Sequence, residues 1–245
     1  MKSVQLAGVI VSYAVIAVFW SICVRRWKRS GTSVWGAIGT ARDESFGKDI
    51  AAGMVMATIA ILLIFLVEWK LEFIAVMGVA RPDLTFLGWI LLIPFAAFFE
   101  ELLFRGLVLN GALLAVKNEW AALLLSAAVF GVSHSNNANA SLLSVGSTCI
   151  GGLVYGYAFL RTRRLWLGFG LHMAWNLVQG PLLGFPLSGF DTHGLVLQRA
   201  MGPILWTGGS YGPEAGLIGI VARGLLLAML AGYLGRRRGD SNLLV

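Results

Sequence analysis

The chain has 245 residues, of which 58% are hydrophobic and only 13% charged. Soluble domains run at about 45–50% apolar and about 25% charged, so the composition excludes an ordinary globular protein and indicates an integral membrane protein. Two cysteines, Cys23 and Cys149, lie in apolar runs without ligand spacing, so no disulfide framework or zinc ribbon is indicated and they read as small buried hydrophobes.

In chain order, Leu6 to Val24 is an unbroken apolar run followed at once by Arg25, Arg26, Lys28 and Arg29. Its positive charge follows the apolar stretch and no small-residue cleavage site comes after it, so it is expected to be a retained span. A basic segment to Asp49 leads into a second span, about Ile50 to Trp69. A mixed-charge link to Asp83 precedes the third, which starts near Leu84 and contains Pro94, a residue expected to weaken or kink it. After a turn near Lys117-Asn118-Glu119 come a fourth span, Trp120 to about His134, and a fifth, Ser141 to Leu160. A sixth follows from Leu165 to about Leu183, then a glycine-rich loop from Gly184 to Pro213, then a seventh span from about Glu214 to Gly235. The predicted fold is all-α, a polytopic bundle of about seven transmembrane helices. Residues 1–83 form two N-terminal spans with a basic loop, and residues 84–245 form the core.

Lysine and arginine alternate across this arrangement. Segments 25–49, 106–119, 161–164 and 236–245 hold thirteen, against four in 1–5, 70–83 and 184–213. The richer side is expected to be cytoplasmic, with the N-terminus outside and the C-terminus inside, in a membrane expected to be a bacterial inner membrane. The net charge of +7 then reflects topology and anionic-lipid contact, and calls for no nucleic-acid partner.

Against this apolar background, Glu100-Glu101-Leu102-Leu103-Phe104-Arg105 stands out. A carboxylate inside a span costs roughly 2.5–3.5 kcal/mol, so two in succession must be paired, watered or functional. Glu101 and Arg105 are one helical turn apart and can pair. Glu100 points about 100° away and has no cation at i+3 or i+4, which leaves it in need of an external partner. Three further polar residues lie in spans: His134 ends the fourth, and His172 and Asn176 share one face of the sixth. Glu100 and His134 are both 17 residues from Lys117, so antiparallel helices would set them at similar depth, whereas His172 reads as shallower. Taken singly each residue has an ordinary reading as interhelical glue, as does Arg223 as a snorkelling or carbonyl-bound cation, and His193 reads as a solvent-exposed loop residue. Taken together, Glu100, His134, His172 and Asn176 imply a shared polar cavity.

Glu100-Glu101-x-x-x-Arg105, Phe130-x-x-x-His134 and His172-x-x-x-Asn176, in that order on successive membrane helices, resemble the three motifs of the CPBP family of intramembrane proteases. That family includes the CAAX-processing endoprotease and the bacterial Abi-type immunity proteins. Trp175-Asn176-Leu177-Val178-Gln179-Gly180-Pro181 and Thr207-Gly208-Gly209-Ser210-Tyr211-Gly212-Pro213-Glu214 add to the likeness, which spans roughly residues 85–235. Asn137-Ala138 departs from the Asn-Pro of many relatives. The resemblance implies an endopeptidase acting on peptide or protein substrates in the bilayer, such as CAAX-like proteins or leader peptides.

The residue types suit that chemistry. Hydrolysis in a dry site needs a water, a base and donors for the developing oxyanion. Glu100 is the expected base with His134 holding the water, His172 and Asn176 are expected donors, and Glu101 with Arg105 is an expected brace. A second arrangement has Glu100, His134 and His172 ligating a zinc-like metal. The helix-borne His-Glu-x-x-His pattern of zinc proteases is absent from the sequence, which tips the expectation towards a metal-free glutamate mechanism. The rival reading is a proton-coupled transporter built on the same Glu/His cluster; the sequence shows no inverted repeat to support it.

Overall fold

A computed structural model describes residues 33–242, with side chains to Arg237, and before them residues 21, 23–25, 27–29 and 31. The predicted first span, Leu6–Val24, therefore lies almost wholly outside the described residues. The elements are α1 (Val34–Ala37), α2 (Phe46–Lys70), β1 (Ile74–Val79), α3 (Leu84–Glu101), α4 (Asn110–Val116), α5 (Glu119–Ser133), α6 (Leu142–Thr162), α7 (Trp166–Leu177), β2 (Val196–Ala200), α8 (Ile204–Thr207) and α9 (Leu217–Asn242). Among the described residues, four helical stretches are long and apolar enough to cross a membrane: Phe46–Lys70, Leu84–Val116, Leu142–Thr162 and Leu217–Arg237. Helix α5 is apolar but shorter. The protein is an all-α membrane bundle, and the count of seven would rest on α5, on α7 and on the segment before residue 33.

The helix starts follow local chemistry. Asp83 accepts from Phe86 N–H at 2.8 Å, Asn118 accepts from Trp120 and Ala121 N–H at 3.0 Å, and Ser141 with Ser144 forms a reciprocal capping box. Helix α3 runs on through Pro94. Two stretches are wound more widely, as π-helix: Leu102–Leu109 between α3 and α4, and Val178–Leu182 at the end of α7. Both adjoin motif residues, where π-turns are frequent.

Helix α2 lies along α7 with the backbones nearly touching. A Cβ at Gly170 would sit 2.3 Å from Ile50 O, and one at Gly53 would sit 2.6 Å from Leu167 O. Small residues that let helices approach are the ordinary device of bilayer packing. Because both obstacles are backbone atoms, Gly170→Ala should destabilise the bundle by about 1–3 kcal/mol, measured as a lower melting temperature in detergent; an unchanged melting temperature would mean that α2 and α7 slide apart at no cost.

The ends of the helices read as basic converge. Asp49, fully buried at the start of α2, meets Arg164 at 3.3 Å, Arg237 at 2.6 Å and the Tyr233 hydroxyl at 3.3 Å. The link expected between residues 70 and 83 instead contains β1. It pairs antiparallel with β2 from the predicted loop, Ile74 opposite Ala200 and Val79 opposite Val196, with an irregularity between Val76 and Gly78.

Candidate active site

Glu100 and Glu101 end α3, and the π-helical turns that follow carry Arg105. Glu101 and Arg105 are both buried and form an ion pair at 3.0 Å. Arg105 also donates to Gly152 O on α6 at 3.3 Å, and its guanidinium lies 4.5 Å from the Phe130 ring and 5.1 Å from that of Tyr155. The charge is thus held between an acid, a carbonyl and two aromatic faces. Gly168 on α7 makes the room: a Cβ there would lie 3.0 Å from Glu101 Oε2.

The two histidines turn the same ring nitrogen towards Glu100. His134 Nε2 is 3.9 Å and His172 Nε2 is 3.8 Å from Glu100 Oε2. Their other nitrogens are anchored, His134 Nδ1 on Phe130 O at 2.8 Å and His172 Nδ1 on Glu101 Oε1 at 2.9 Å. A carbonyl and a carboxylate only accept, so both Nδ1 atoms carry the proton, and in neutral rings both Nε2 atoms present lone pairs. Three acceptors therefore face one another across a gap too wide for a direct hydrogen bond. That gap suits something that donates twice, such as a water, or something positive.

Stacking fixes the rings in place. Tyr155 lies parallel to His172 with centroids 4.8 Å apart, and Phe130 packs against His134 at 4.8 Å and edge-on to His172 at 5.9 Å. The depth at which His172 meets Glu100 differs from the expectation, and the floor of the bundle explains why. Asn110 donates to Ala37 O, Leu165 N–H to Gly39 O at 2.9 Å, and Trp166 Nε1 to Ala41 O at 2.8 Å. The strip 37–41 therefore sets Leu165 level with Asn110 and not with Lys117. Counted from that level, Glu100 and His172 are at comparable heights.

These groups open into a cavity of about 370 Å³. Trp89, Leu92, Ile93 and Ala96 of α3 form an apolar wall; Asn176 lies one turn beyond His172; Leu187, Ser188 and Phe190 come from the loop after α7. All the predicted site residues are brought together here, Glu101 and Arg105 just behind the wall and the others on it. His193 is exposed and away from it. Two charged lining residues have no counterpart in the sequence reading of the site. Glu214 and Arg223, both buried, face each other at 3.4 Å; Glu214 also accepts from Ser188 N–H at 2.9 Å and from its hydroxyl at 2.7 Å. Arg223 donates to Ser147 O and Oγ on α6 and stacks on Trp175 at 5.0 Å. The pair ties the loop to α6 and α9. Tyr211 packs beside it; burial first, then the Glu214 charge, pushes its phenol up, so it stays a hydroxyl.

A carboxylate and two unprotonated imidazole nitrogens, each ring anchored through its other nitrogen, are a donor set that zinc accepts. As placed, no group of three or more His, Cys, Asp or Glu side chains among the described residues is gathered closely enough to hold a metal ion.

Residues 82–178 match the family described as Type II CAAX prenyl endopeptidase Rce1-like. The stretch runs from the start of α3 to the end of α7 and contains all six motif residues, and the match bears out the resemblance read from the sequence. It indicates a membrane-embedded protease of CAAX type. No curated protein and no solved structure matches the chain.

Proposed function

Starting from a core that matches type II CAAX prenyl endopeptidases over residues 82–178, we propose that the protein is an intramembrane endopeptidase in which Glu100 activates a water. The observation that carries this reading is the convergence of Glu100 Oε2 and the two histidine Nε2 atoms at 3.8 and 3.9 Å beside a cavity roomy enough for a peptide. A water in that gap gives one hydrogen to Glu100 and the other to a histidine, which leaves its lone pair facing the cavity. As its oxygen adds to the scissile carbonyl carbon, its proton passes to Glu100. When the C–N bond breaks, that proton leaves on the amine.

Asn176 stands ready to donate to the oxyanion. His172 can do so from Nε2 once protonated, because the Glu101 carboxylate on Nδ1 stabilises the imidazolium. The loop 184–213 supplies Leu187, Ser188 and Phe190 to the cavity wall, a position suited to a lid or substrate guide. A zinc-like ion would be held by Glu100, His134 and His172 and would supply Lewis-acid activation of the same water. The metal-free form is preferred because the helix-borne His-Glu-x-x-His pattern of zinc proteases is absent from the sequence. The surplus of cations on one set of loops supports the cytoplasmic assignment of that side.

The test is cleavage of a membrane-anchored fluorogenic peptide by the detergent-purified protein, with and without a strong chelator. Hydrolysis that survives chelation is the expected result. Loss of activity with recovery on added zinc would turn the three water-holding groups into ligands. Absence of hydrolysis, together with proton flux in vesicles, would replace the protease with a transporter.

A further inference from the structure

A second cavity, of about 570 Å³, lies behind the loop that walls the first. The strip from Gly184 to Asp191 separates the two. Leu187, Ser188 and Phe190 line the candidate active site, whereas Phe185, Pro186, Gly189 and Asp191 line the second cavity. Gly189 takes a positive φ of +88°, and a Cβ there would fall 2.0 Å from Ala138 O.

The second cavity holds an unpartnered acid. Glu68, near the end of α2, has no exposed surface, and neither of its carboxylate oxygens has a hydrogen-bond partner among the described residues. A buried acid without a partner is costly, and such groups in native proteins call for an explanation. Asp191 lines the same space, and none of its lining residues is Lys, Arg or His. The cavity therefore holds two carboxyl groups and no cationic side chain of its own.

We infer that the Glu68 cavity is a binding site for an organic cation, the ammonium or guanidinium group of a lysine or arginine side chain on a peptide. In naming a peptide as the carrier, this inference rests on the endopeptidase reading, since peptides are the source of cationic side chains that an endopeptidase meets, and the two cavities lie on either side of one strip. The shape and donor set favour an organic cation over a metal ion. Two carboxylates do not make the cage of six to eight oxygens that calcium takes, no metal-holding group of His, Cys, Asp or Glu is present among the described residues, and the volume far exceeds that of an ion. A cation at the end of a flexible stem fits the size, and would meet Glu68 in a dry setting where a charged hydrogen bond counts most.

The experiment is titration of the full-length protein in detergent with N-acetyl, C-amide tripeptides that differ only in a central lysine or its neutral isostere norleucine. The lysine peptide should bind about tenfold more tightly. Glu68→Gln should abolish that preference, and so should Ser210→Arg, which sets a tethered cation at the exposed mouth of the same cavity. Glu100→Gln should leave it intact, which separates this site from the candidate active site and its failure from any failure of the protease reading. Equal binding of the two peptides to the unaltered protein, or a lysine preference that survives Glu68→Gln, would overturn the inference. Thermal stabilisation by calcium chloride that depends on Glu68, with no lysine preference, would make the cavity a metal site and overturn it equally.

Discussion

Glu100→Gln is expected to lower peptide turnover by at least about 100-fold while leaving the protein inserted and folded, because general-base catalysis typically contributes 10²–10⁴. Glutamine keeps the size of the side chain and turns one of the three acceptors into a donor. It can still hold a water between itself and the Nε2 atoms of His134 and His172, but it cannot take the proton. Glu100 is also only partly buried and is not paired with Arg105, so its loss should leave the melting temperature within a degree or two. Turnover of a fluorogenic peptide and a detergent melting curve report the two quantities separately. Full activity in this variant would end the hydrolytic mechanism described above.

Glu101→Gln should fail differently. Glu101 and Arg105 are 0% and 1% exposed, and removing one partner of a buried ion pair strands the other at a cost of about 3–5 kcal/mol. Thermal stability and yield should fall first. Changing Arg105 to Gln as well removes the stranded charge and should recover a good part of the stability. Activity should not return with it, because Glu101 also accepts the Nδ1 proton of His172 at 2.9 Å, and an amide in its place no longer stabilises the imidazolium. A loss in excess of about 100-fold in kcat/KM is expected to persist in the double variant. Recovery of both stability and activity would reduce Glu101 to a structural brace.

The sequence made much of this site legible because the membrane supplies a simple background. Against apolar helices, Glu100, Glu101, Arg105, His134, His172 and Asn176 announce themselves by their cost, and spacing of three or four residues shows which of them share a face. The features that escaped did so for physical reasons. Glu214 and Arg223 are nine residues apart, across the break at Gly216 between a 3₁₀ turn and α9, so no helical spacing links them. Tyr155 looks like any other aromatic in an apolar helix until His172 is stacked on it. Strand β1 is six residues long, carries an irregularity and pairs with a partner more than a hundred residues later; neither length nor alternation marks it. Glu68 sits two residues from the end of α2, where a charge normally reads as an interfacial anchor.

The widened turns between Glu101 and Asn110 bear on how this chain may be compared with others. In an α-helix each residue advances the azimuth by a fixed angle, so a face can be followed by counting. Across Leu102–Leu109 that count fails, because the backbone hydrogen bonds span one residue more than in an α-helix. The stretch behaves as if residues had been inserted without lengthening the helix to match. Asn110, which reaches Ala37 at the floor, and Glu100, which faces the histidines, are therefore phased by the winding and not by their distance in sequence. A relative with one residue fewer here would have to straighten its winding or swing its floor contacts about the helix axis relative to its acids, and an ungapped alignment through these positions would superimpose residues that point in different directions.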